Sequence, residues 1–165
     1  MRLFIAVDVE KPIKSNLEEV QKQIKHENMR LVRPEHMHIT LAFIGDKKIS
    51  CRFDKIHFKP FEIKVRSLGV FPSINFAKIL WAGIESNELY ELSQKIRDEL
   101  DIQEQFHSHI TIARINGKIP DIVRTIEKYK IIAFGHQMVN NFVLKNSVLT
   151  PEGPVYEDMN RFSSQ

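Results

Sequence analysis

One short pattern occurs in both halves of this chain. Residues 35–42 read EHMHITLA and residues 106–113 read FHSHITIA, and each copy follows a stretch with helical periodicity. Seven histidines and four threonines in random order would give about 0.2 His-x-Thr units in a chain of this length. A second unit in a matching context therefore predicts that the two halves are structural copies.

The side chains of the two motifs are expected to meet in one cleft. Successive residues of a β-strand point to opposite faces, so His38 shares a face with Thr40, and His109 shares one with Thr111. If the halves pack about a pseudo-twofold axis, two imidazoles and two hydroxyls converge. A single His-x-Thr unit is more often a half-buried histidine beside a β-branched neighbour, so the repetition is what favours a site.

This set of groups fits the hydrolysis of a phosphodiester. In-line attack at phosphorus needs a base on one side, an acid on the other, and donors for the equatorial oxygens. Imidazole can perform either proton transfer because its unperturbed pKa of about 6.5 keeps both forms available near neutrality. We therefore predict an enzyme in which His38 and His109 are catalytic and the hydroxyls of Thr40 and Thr111 donate to phosphate.

A metal site is the alternative that the same strands leave open. His36 and His107 lie two residues before the motif histidines and hence on the same strand face, and four imidazoles can hold zinc. Few acidic residues lie nearby, so a hydrolytic metal site with a carboxylate base is not evident. We expect no metal and no other cofactor, with His36 and His107 beside the site or at the surface.

Arg114 and Phe43 occupy matching positions, each five residues after its motif histidine. A guanidinium offers fixed donors to phosphate, and an aromatic ring offers a face on which a base can stack. In a regular strand the odd offset points both side chains away from the histidine, and a bulge or twist would be needed to bring them round. Parity alone favours core or surface positions for both residues. Trp81 is expected in the core.

The rest of the sequence predicts an α+β protein with mainly antiparallel sheet and helices packed outside. No Gly-, Ser- or Pro-rich linker divides the 165 residues, so we expect one domain spanning 1–165, built as two lobes. Apolar periodicity places helices at 11–28, 86–100 and 121–129, and strands at 1–8, 35–44, 61–65, 77–84, 109–115 and 139–149.

Charge and composition indicate which kinds of partner and which cellular compartment to expect. A net charge of +3 with a sequence pI near 9.0 gives a mild attraction to polyanions such as RNA. Cys51 is the only cysteine, which excludes an internal disulfide and a cysteine-based metal site. The longest apolar runs are shorter than a membrane span, and Asp8 interrupts the amino-terminal one. We therefore expect a cytoplasmic protein without a membrane partner.

Seven short segments along the chain are typical of one known family. They read RLFIAV at 2–7, VRPE at 32–35, HITLAFIG at 38–45, GVFPS at 69–73, LWAG at 80–83, HITIAR at 109–114 and LTPEGPVY at 149–156. With these segments the chain resembles the RNA 2′,3′-cyclic phosphodiesterases of the two-histidine phosphoesterase superfamily, long called 2′-5′ RNA ligases. Each piece alone is weak, whereas the ordered set is specific.

The resemblance implies a fold and a role for each site residue. It implies a bilobal fold with pseudo-twofold duplication and a cleft between the lobes. In that cleft His38 would donate a proton to the leaving ribose oxygen, and His109 would accept one from the attacking water. Thr40, Thr111 and Arg114 would bind the phosphate. Phe43 would contact a base.

The resemblance also implies a reaction and a partner. The family opens a 2′,3′-cyclic phosphate at an RNA end to a 2′-phosphate, and it can join RNA ends by a 2′,5′ linkage without ATP. The expected partner is RNA with such ends, tRNA fragments included, and the expected state is a monomer. Residues 49–59 are short and polar for the family, which leaves open the helix usual there, and His107-Ser108 is an unusual lead-in. A third hypothesis is a non-catalytic module that binds RNA ends in the same cleft.

Overall fold

Antiparallel pairing organises the strands into two sheets. The computed structural model describes residues 2–49 and 53–165. Its helices are α1 (Lys11–Ile24), α2 (Asn87–Glu99) and α3 (Ile122–Tyr129), and its strands are β1 (Arg2–Asp8), β2 (Met29–Leu31), β3 (His38–Gly45), β4 (Phe61–Phe71), β5 (Ile79–Glu85), β6 (His109–Ile115), β7 (Ala133–Val139), β8 (Asn141–Thr150) and β9 (Gly153–Ser163). The strand order is β3-β1-β8-β9 in the first sheet and β2-β6-β5-β4-β7 in the second. The predicted α+β class with antiparallel sheets is confirmed.

Each motif strand is supported by a helix from the other half of the chain. α1 and α2 bury apolar faces made of Ile13, Leu17 and Val20 and of Leu89, Leu92 and Ile96. Burying one such side chain is worth roughly 1.5–3 kcal/mol. α1 contacts β6 and β7, α2 contacts β3, and β3 contacts β6 directly. The two motif strands therefore lie next to each other, each backed by the helix that precedes the other motif in the chain.

The helix boundaries differ from the prediction at one place. α2 begins after Ser86, whose Oγ accepts the backbone N–H of Leu89 at 3.0 Å, as an N-cap does. α1 ends at Ile24 rather than near residue 28, because the chain turns there, with the N–H of Met29 donating to the carbonyl of His26 at 2.9 Å. The freed residues form β2, which pairs with β6 and was not predicted.

Strands are longer and more numerous than the periodicity indicates. β4 continues to Phe71, because a register shift between Arg66 and Leu68, with Ser67 at φ 68°, breaks the alternation without ending the strand. The predicted strand 139–149 is the end of β7 and most of β8, joined at Asn140. β9 was not predicted, since it is an edge strand with polar residues on both faces.

Two further expectations concern single segments. Part of the stretch 49–59, where the family helix was left open, lies outside the described residues, and Phe53–Lys55 form one 3-10 turn within the rest. Among the helices of the described ranges, none combines the length and the apolar character needed to cross a membrane.

Candidate active site

A bulge interrupts β3 inside the first motif. The pairing of β3 with β1 steps from Thr40 to Ala42 and leaves out Leu41. Leu41 and Ala42 are both buried, whereas Phe43 after them is 66% exposed. The extra residue reverses the alternation, so Phe43 lies on the same face as His38.

The second motif has the same irregularity at the same place. The pairing of β6 with β5 steps from Thr111 to Ala113 and leaves out Ile112. Ile112 and Ala113 are buried, and Arg114 is exposed on the face of His109. The expectation from regular-strand parity is therefore wrong for Arg114, as it is for its counterpart in the first motif.

Buried helix side chains hold both bulges in place. Ser93 Oγ of α2 donates to the carbonyl of Leu41 at 2.9 Å. Gln21 Nε2 of α1 donates to the carbonyl of Ile112 at 2.8 Å and to that of Val32 at 2.7 Å. The Ile112 carbonyl also accepts the backbone N–H of Val32 at 3.0 Å, so Gln21 adds a second bond there, whereas Ser93 supplies a partner to the carbonyl of a residue that has left the ladder.

A cavity of about 710 Å³ opens between the motif strands. His38, Thr40 and Phe43 line it from β3, and Thr111 and Arg114 line it from β6. The structure thus brings together five of the six residues that the sequence predicts for the site, all on one cavity.

His109 is half-buried and is not among the lining residues, although Thr111 on the same strand face is. Its ring packs edge-on against Phe71, with centroids 5.1 Å apart, and lies 6.5 Å from the ring of Trp81. The charge of His109 contributes to lowering the pKa of His38, which places the two imidazoles within electrostatic reach of each other.

Both imidazoles are held by the same kind of hydrogen bond. Nδ1 of His38 lies 2.8 Å from the carbonyl of His36, and Nδ1 of His109 lies 2.6 Å from the carbonyl of His107. A carbonyl oxygen only accepts, so Nδ1 carries the hydrogen in each ring. Nε2 is then the nitrogen that exchanges a proton with a substrate, and the two rings present the same tautomer.

The surroundings of both histidines disfavour the imidazolium. Burial, followed by the charge of Lys145, lowers the pKa of His38 from its ordinary 6.5 to about 4, and the hydrogen bond to the His36 carbonyl offsets this only in part. Burial also lowers the pKa of His109, with the charge of His107 acting in the same direction. Burial removes water that would solvate the charged ring, which is why both shifts have the same sign.

Aromatic rings that the motif analysis did not single out fix the position of His38. The ring of His38 packs against Phe4, with centroids 5.1 Å apart, and against Tyr156 at 5.2 Å in an edge-to-face arrangement. On the other side of the site, Trp81 is half-buried in the wall beside His109 rather than in the core. Its ring lies against Gly69, where an added Cβ would overlap the indole.

His36 and His107 lie beside the site, as expected. His36 lines the cavity and packs on Tyr156, and His107 is exposed and packs on Phe71. Within residues 2–49 and 53–165, His, Cys, Asp and Glu side chains form no group of three placed to hold a metal ion. The four-imidazole arrangement considered from the sequence is not assembled in that part of the chain.

A cluster of four charges adjoins the His38 side of the cavity. Lys145 Nζ lies 2.9 Å from Asp8 and 2.7 Å from Asp158, and Arg161 reaches the same two carboxylates at 3.1 and 3.2 Å. Asp8 is the cross-strand neighbour of His38. The sequence offers no local signal for this cluster, because Asp8 on β1 is far in the chain from the β8–β9 hairpin that carries the other three members.

Three arginines that the motif analysis did not consider also line the cavity, namely Arg2, Arg30 and Arg33. Arg2 and Arg33 stand within segments that carry the family resemblance, but no spacing rule connects them with the motifs. Only the pairing of β1, β2 and β6 brings them to one cavity.

Comparison with known proteins adds an independent line of information. The family model described as LigT-like phosphoesterase matches residues 7–81. The RNA 2′,3′-cyclic phosphodiesterase of Archaeoglobus fulgidus is 33% identical, over 98% of this chain and 99% of its own length. The enzyme of the same name from Methanocaldococcus jannaschii is 33% identical, over 95% of this chain and 97% of its own length.

Solved structures agree with the fold. A crystal structure of a Thermus thermophilus protein superposes with a TM-score of 0.84 at 26% identity, covering 99% of this chain and 97% of that one. The crystal structure of E. coli LigT complexed with phosphate superposes with a TM-score of 0.80 at 22% identity, covering 99% of this chain and 96% of that one. At this identity the second likeness is one of fold alone.

Proposed function

This chain belongs to the LigT-like phosphoesterase family, and we propose that it opens the 2′,3′-cyclic phosphate at an RNA end to a 2′-phosphate. The observation that carries the proposal is the repeated bulge, which aligns Thr40, Thr111 and Arg114 with His38 on one cavity. The two curated relatives that share a third of its residues over nearly the whole chain carry that activity in their names.

The residues supply each part of the reaction. The hydroxyls of Thr40 and Thr111 and the guanidinium of Arg114 donate to the non-bridging phosphate oxygens, where charge collects in the transition state. A water oxygen attacks phosphorus in line with the bond to the ribose 3′ oxygen. One imidazole takes the proton of that water through Nε2, and the other gives a proton to the departing 3′ oxygen, so the 2′ oxygen keeps the phosphate.

The family resemblance assigns the donor role to His38 and the acceptor role to His109. The lowered pKa of His38 keeps its imidazole neutral at pH 7 in the free protein. The cyclic phosphate is an anion, and an opposite charge beside a histidine favours its protonated form. On this assignment His38 gains its proton when substrate binds, and His109 accepts the proton of the attacking water in its neutral form, which its lowered pKa favours in the free protein.

The same site accounts for ligation. When the 5′ hydroxyl of a second RNA end replaces water as the nucleophile, the same displacement gives a 2′,5′ linkage and needs no ATP. We propose RNA ends as the substrate class, tRNA fragments included. The proposal extends to a single two-lobed domain over residues 1–165 that acts as a monomer in the cytoplasm.

Product analysis tests this function. The purified protein is incubated with an oligonucleotide ending in a 2′,3′-cyclic phosphate in excess EDTA, and the 2′- and 3′-phosphate products are separated. We expect the 2′-phosphate alone. His38→Ala and His109→Ala should each lower kcat by about 10²–10⁴-fold, whereas His136→Ala, which alters an exposed histidine on β7, should not.

Each rival hypothesis has its own outcome. Loss of turnover in EDTA, restored by added zinc, would favour a metal-dependent phosphoesterase. Binding of the oligonucleotide without product, with affinity kept in both histidine variants, would favour a non-catalytic RNA-end-binding module. Full turnover by His38→Ala and His109→Ala would end the two-histidine mechanism.

A further inference from the structure

Two arginines lie directly opposite each other on neighbouring strands at the cavity. Arg30 of β2 pairs with Arg114 of β6 in antiparallel register. Two backbone hydrogen bonds flank the pair: the N–H of Val32 donates to the carbonyl of Ile112 at 3.0 Å, and the N–H of Asn116 donates to the carbonyl of Asn28 at 2.9 Å. Their spacing makes Arg30 and Arg114 a hydrogen-bonded pair of the antiparallel ladder. The Cα atoms of such a pair are about 5.5 Å apart and their side chains share one face.

Among residues 2–49 and 53–165, no carboxylate forms an ion pair with either member of this like-charged pair. In the part of the chain that the structure describes, neither guanidinium makes a hydrogen bond or an ion pair, whereas Arg66 and Arg161 pair with carboxylates. Like charges directly opposite each other on a sheet are destabilising. An arrangement with this cost, at a cavity wall, is what an anion from outside the protein would stabilise.

The backbone holds the pair rigidly. Gln21 of α1 donates to the carbonyls of both Val32 and Ile112, which fixes β2 to β6 two residues from the arginines. The guanidinium of Arg30 also reaches the turn between β8 and β9, where Nη2 lies 3.3 Å from the position of a Cβ on Gly153. Arg30 therefore spans from the second sheet to the first across the cavity.

Charge along the rest of the lining has the same sign. Arg2 and Arg33 line the cavity as well, and Glu152 is the one carboxylate among the lining residues. A ligand that places one phosphate at this surface therefore finds further cationic side chains beside it, so the lining suits a ligand with more than one phosphate.

The position of the pair separates it from the reacting phosphate. Because the bulge takes Ile112 out of the ladder, Thr111 and Arg114 lie opposite Trp81 and Ile79, two residues apart on β5, and hence roughly 7 Å from each other along the strand. Arg114 can extend back toward the phosphate that the threonines hold. Arg30 lies on β2, the outer strand of the sheet, and is therefore one strand farther from Thr111 than Arg114 is.

We propose that Arg30, beside the Arg114 that reaches the cyclic phosphate, binds the internal phosphodiester one nucleotide upstream of the cyclic end, so that the enzyme selects RNA chains over mononucleotides. The inference rests on the proposed function and names the substrate class of that same site. Because Arg30 contributes binding to a phosphate that a mononucleotide lacks, its removal affects the two kinds of substrate differently.

The test compares a mononucleotide with a dinucleotide. Adenosine 2′,3′-cyclic phosphate and the dinucleotide ApA 2′,3′-cyclic phosphate are turned over by the wild type, Arg30→Gln and Arg30→Lys. Arg124→Gln on α3 serves as the control, since it removes an arginine that does not line the cavity. Arg30→Gln should lower kcat/KM for the dinucleotide roughly 10- to 100-fold, the value of one charged hydrogen bond to phosphate. The mononucleotide should change less than about threefold, and Arg30→Lys should be intermediate.

A neutral linkage identifies the contact. A dinucleotide whose internal phosphate is a methylphosphonate should lose the same factor with the wild type and nothing further with Arg30→Gln, as a double-mutant cycle requires of interacting partners. Arg30→Gln should also melt at the same or a higher temperature than the wild type, because it removes a like-charge pair, and this excludes misfolding as the cause.

The remaining outcomes overturn the inference. Equal losses for both substrates would place Arg30 on the reacting phosphate, and no loss for either would remove it from binding. A full methylphosphonate penalty in Arg30→Gln would show that another group binds the internal phosphate. If the wild type turns over neither substrate, the proposed function fails, and equilibrium binding of ApA 2′-phosphate and its methylphosphonate to wild type and Arg30→Gln decides the subsite by the same comparison.

Discussion

His38 should stay neutral in the free protein far below the pH at which an exposed histidine takes up a proton. Its ring is packed between Phe4 and Tyr156, and burial together with the charge of Lys145 lowers its pKa from 6.5 to about 4. The lowered pKa of His38 can be detected by measuring how the free energy of unfolding changes with pH.

The sign and the size follow from linkage. A group whose pKa is lower in the folded than in the unfolded state favours folding above the unfolded pKa, and this contribution disappears as the pH falls toward the folded pKa. For His38 the window runs from about pH 6.5 down to about 4. That interval corresponds to roughly 3 kcal/mol, a large part of the total stability of an ordinary domain. Asp8, whose pKa is lowered from 3.8 despite its burial because it pairs with Lys145 and Arg161, contributes only below this window.

Urea unfolding at several pH values measures the effect. His38 should account for a loss of up to about 3 kcal/mol in the wild type between pH 6.5 and 4, and the lowered pKa of His109 adds to it. His38→Gln should therefore lose distinctly less than the wild type over the same range, whatever its stability at pH 7. His136→Gln should keep the wild-type slope, because it alters an exposed histidine on β7. The C2 proton of His38, assigned by its absence in His38→Gln, should titrate near pH 4.

A midpoint for His38 at or above pH 6 would refute the reasoning, as would equal slopes in the wild type and His38→Gln. The prediction also bears on mechanism. If His38 is the acid in the complex, binding of a cyclic phosphate at pH 7 should be accompanied by proton uptake. Calorimetry in buffers with different ionisation enthalpies measures that uptake directly.

Three other substitutions test the frame around the site. Ser93→Ala leaves the carbonyl of Leu41 buried without its 2.9 Å bond, so urea unfolding should show a loss of about 1–3 kcal/mol. Gly69→Ala places a methyl group against the indole of Trp81, and it should cost roughly 1–3 kcal/mol and shift the emission of this single tryptophan, with an unchanged spectrum counting against the contact. Phe43→Ala removes a ring that is 66% exposed, so stability should stay within about 0.5 kcal/mol. The KM for RNA should rise about 5- to 100-fold if a base stacks there, and an unchanged KM would exclude that stacking.

Local periodicity was sufficient for the elements that carry the motifs. β3 and β6 combine β-branched residues with a repeated spacing, and α2 has both an apolar face and a serine cap. These signals depend on residues close in the chain, which is why the helices and the motif strands were predicted within a few residues. The sequence also predicted that each motif histidine shares a strand face with the threonine two residues after it.

Features that depend on pairing between distant segments could not be predicted in this way. The bulges are set by how β3 lies against β1 and how β6 lies against β5, and a one-residue slip reverses every later side chain. Without that register, regular-strand parity pointed Arg114 away from the face of His109, and the bulge places it on that face. Arg30 and Lys145 enter the site region only through β2 and β8, so no spacing rule could connect them with the motifs.

The two motif strands and the helices behind them are arranged symmetrically, whereas an RNA end is asymmetric. Both histidines have the same tautomer, both motifs have the same bulge, and each bulge carbonyl is bound by a helix side chain. The two halves differ in chemistry just beyond the bulges, where one carries Phe43 and the other Arg114. An RNA end likewise has a base on one side of its ribose and a phosphate chain on the other. The motifs therefore supply two equivalent proton-transfer groups, and the residues around them decide which way the nucleotide lies and hence which imidazole faces the leaving oxygen.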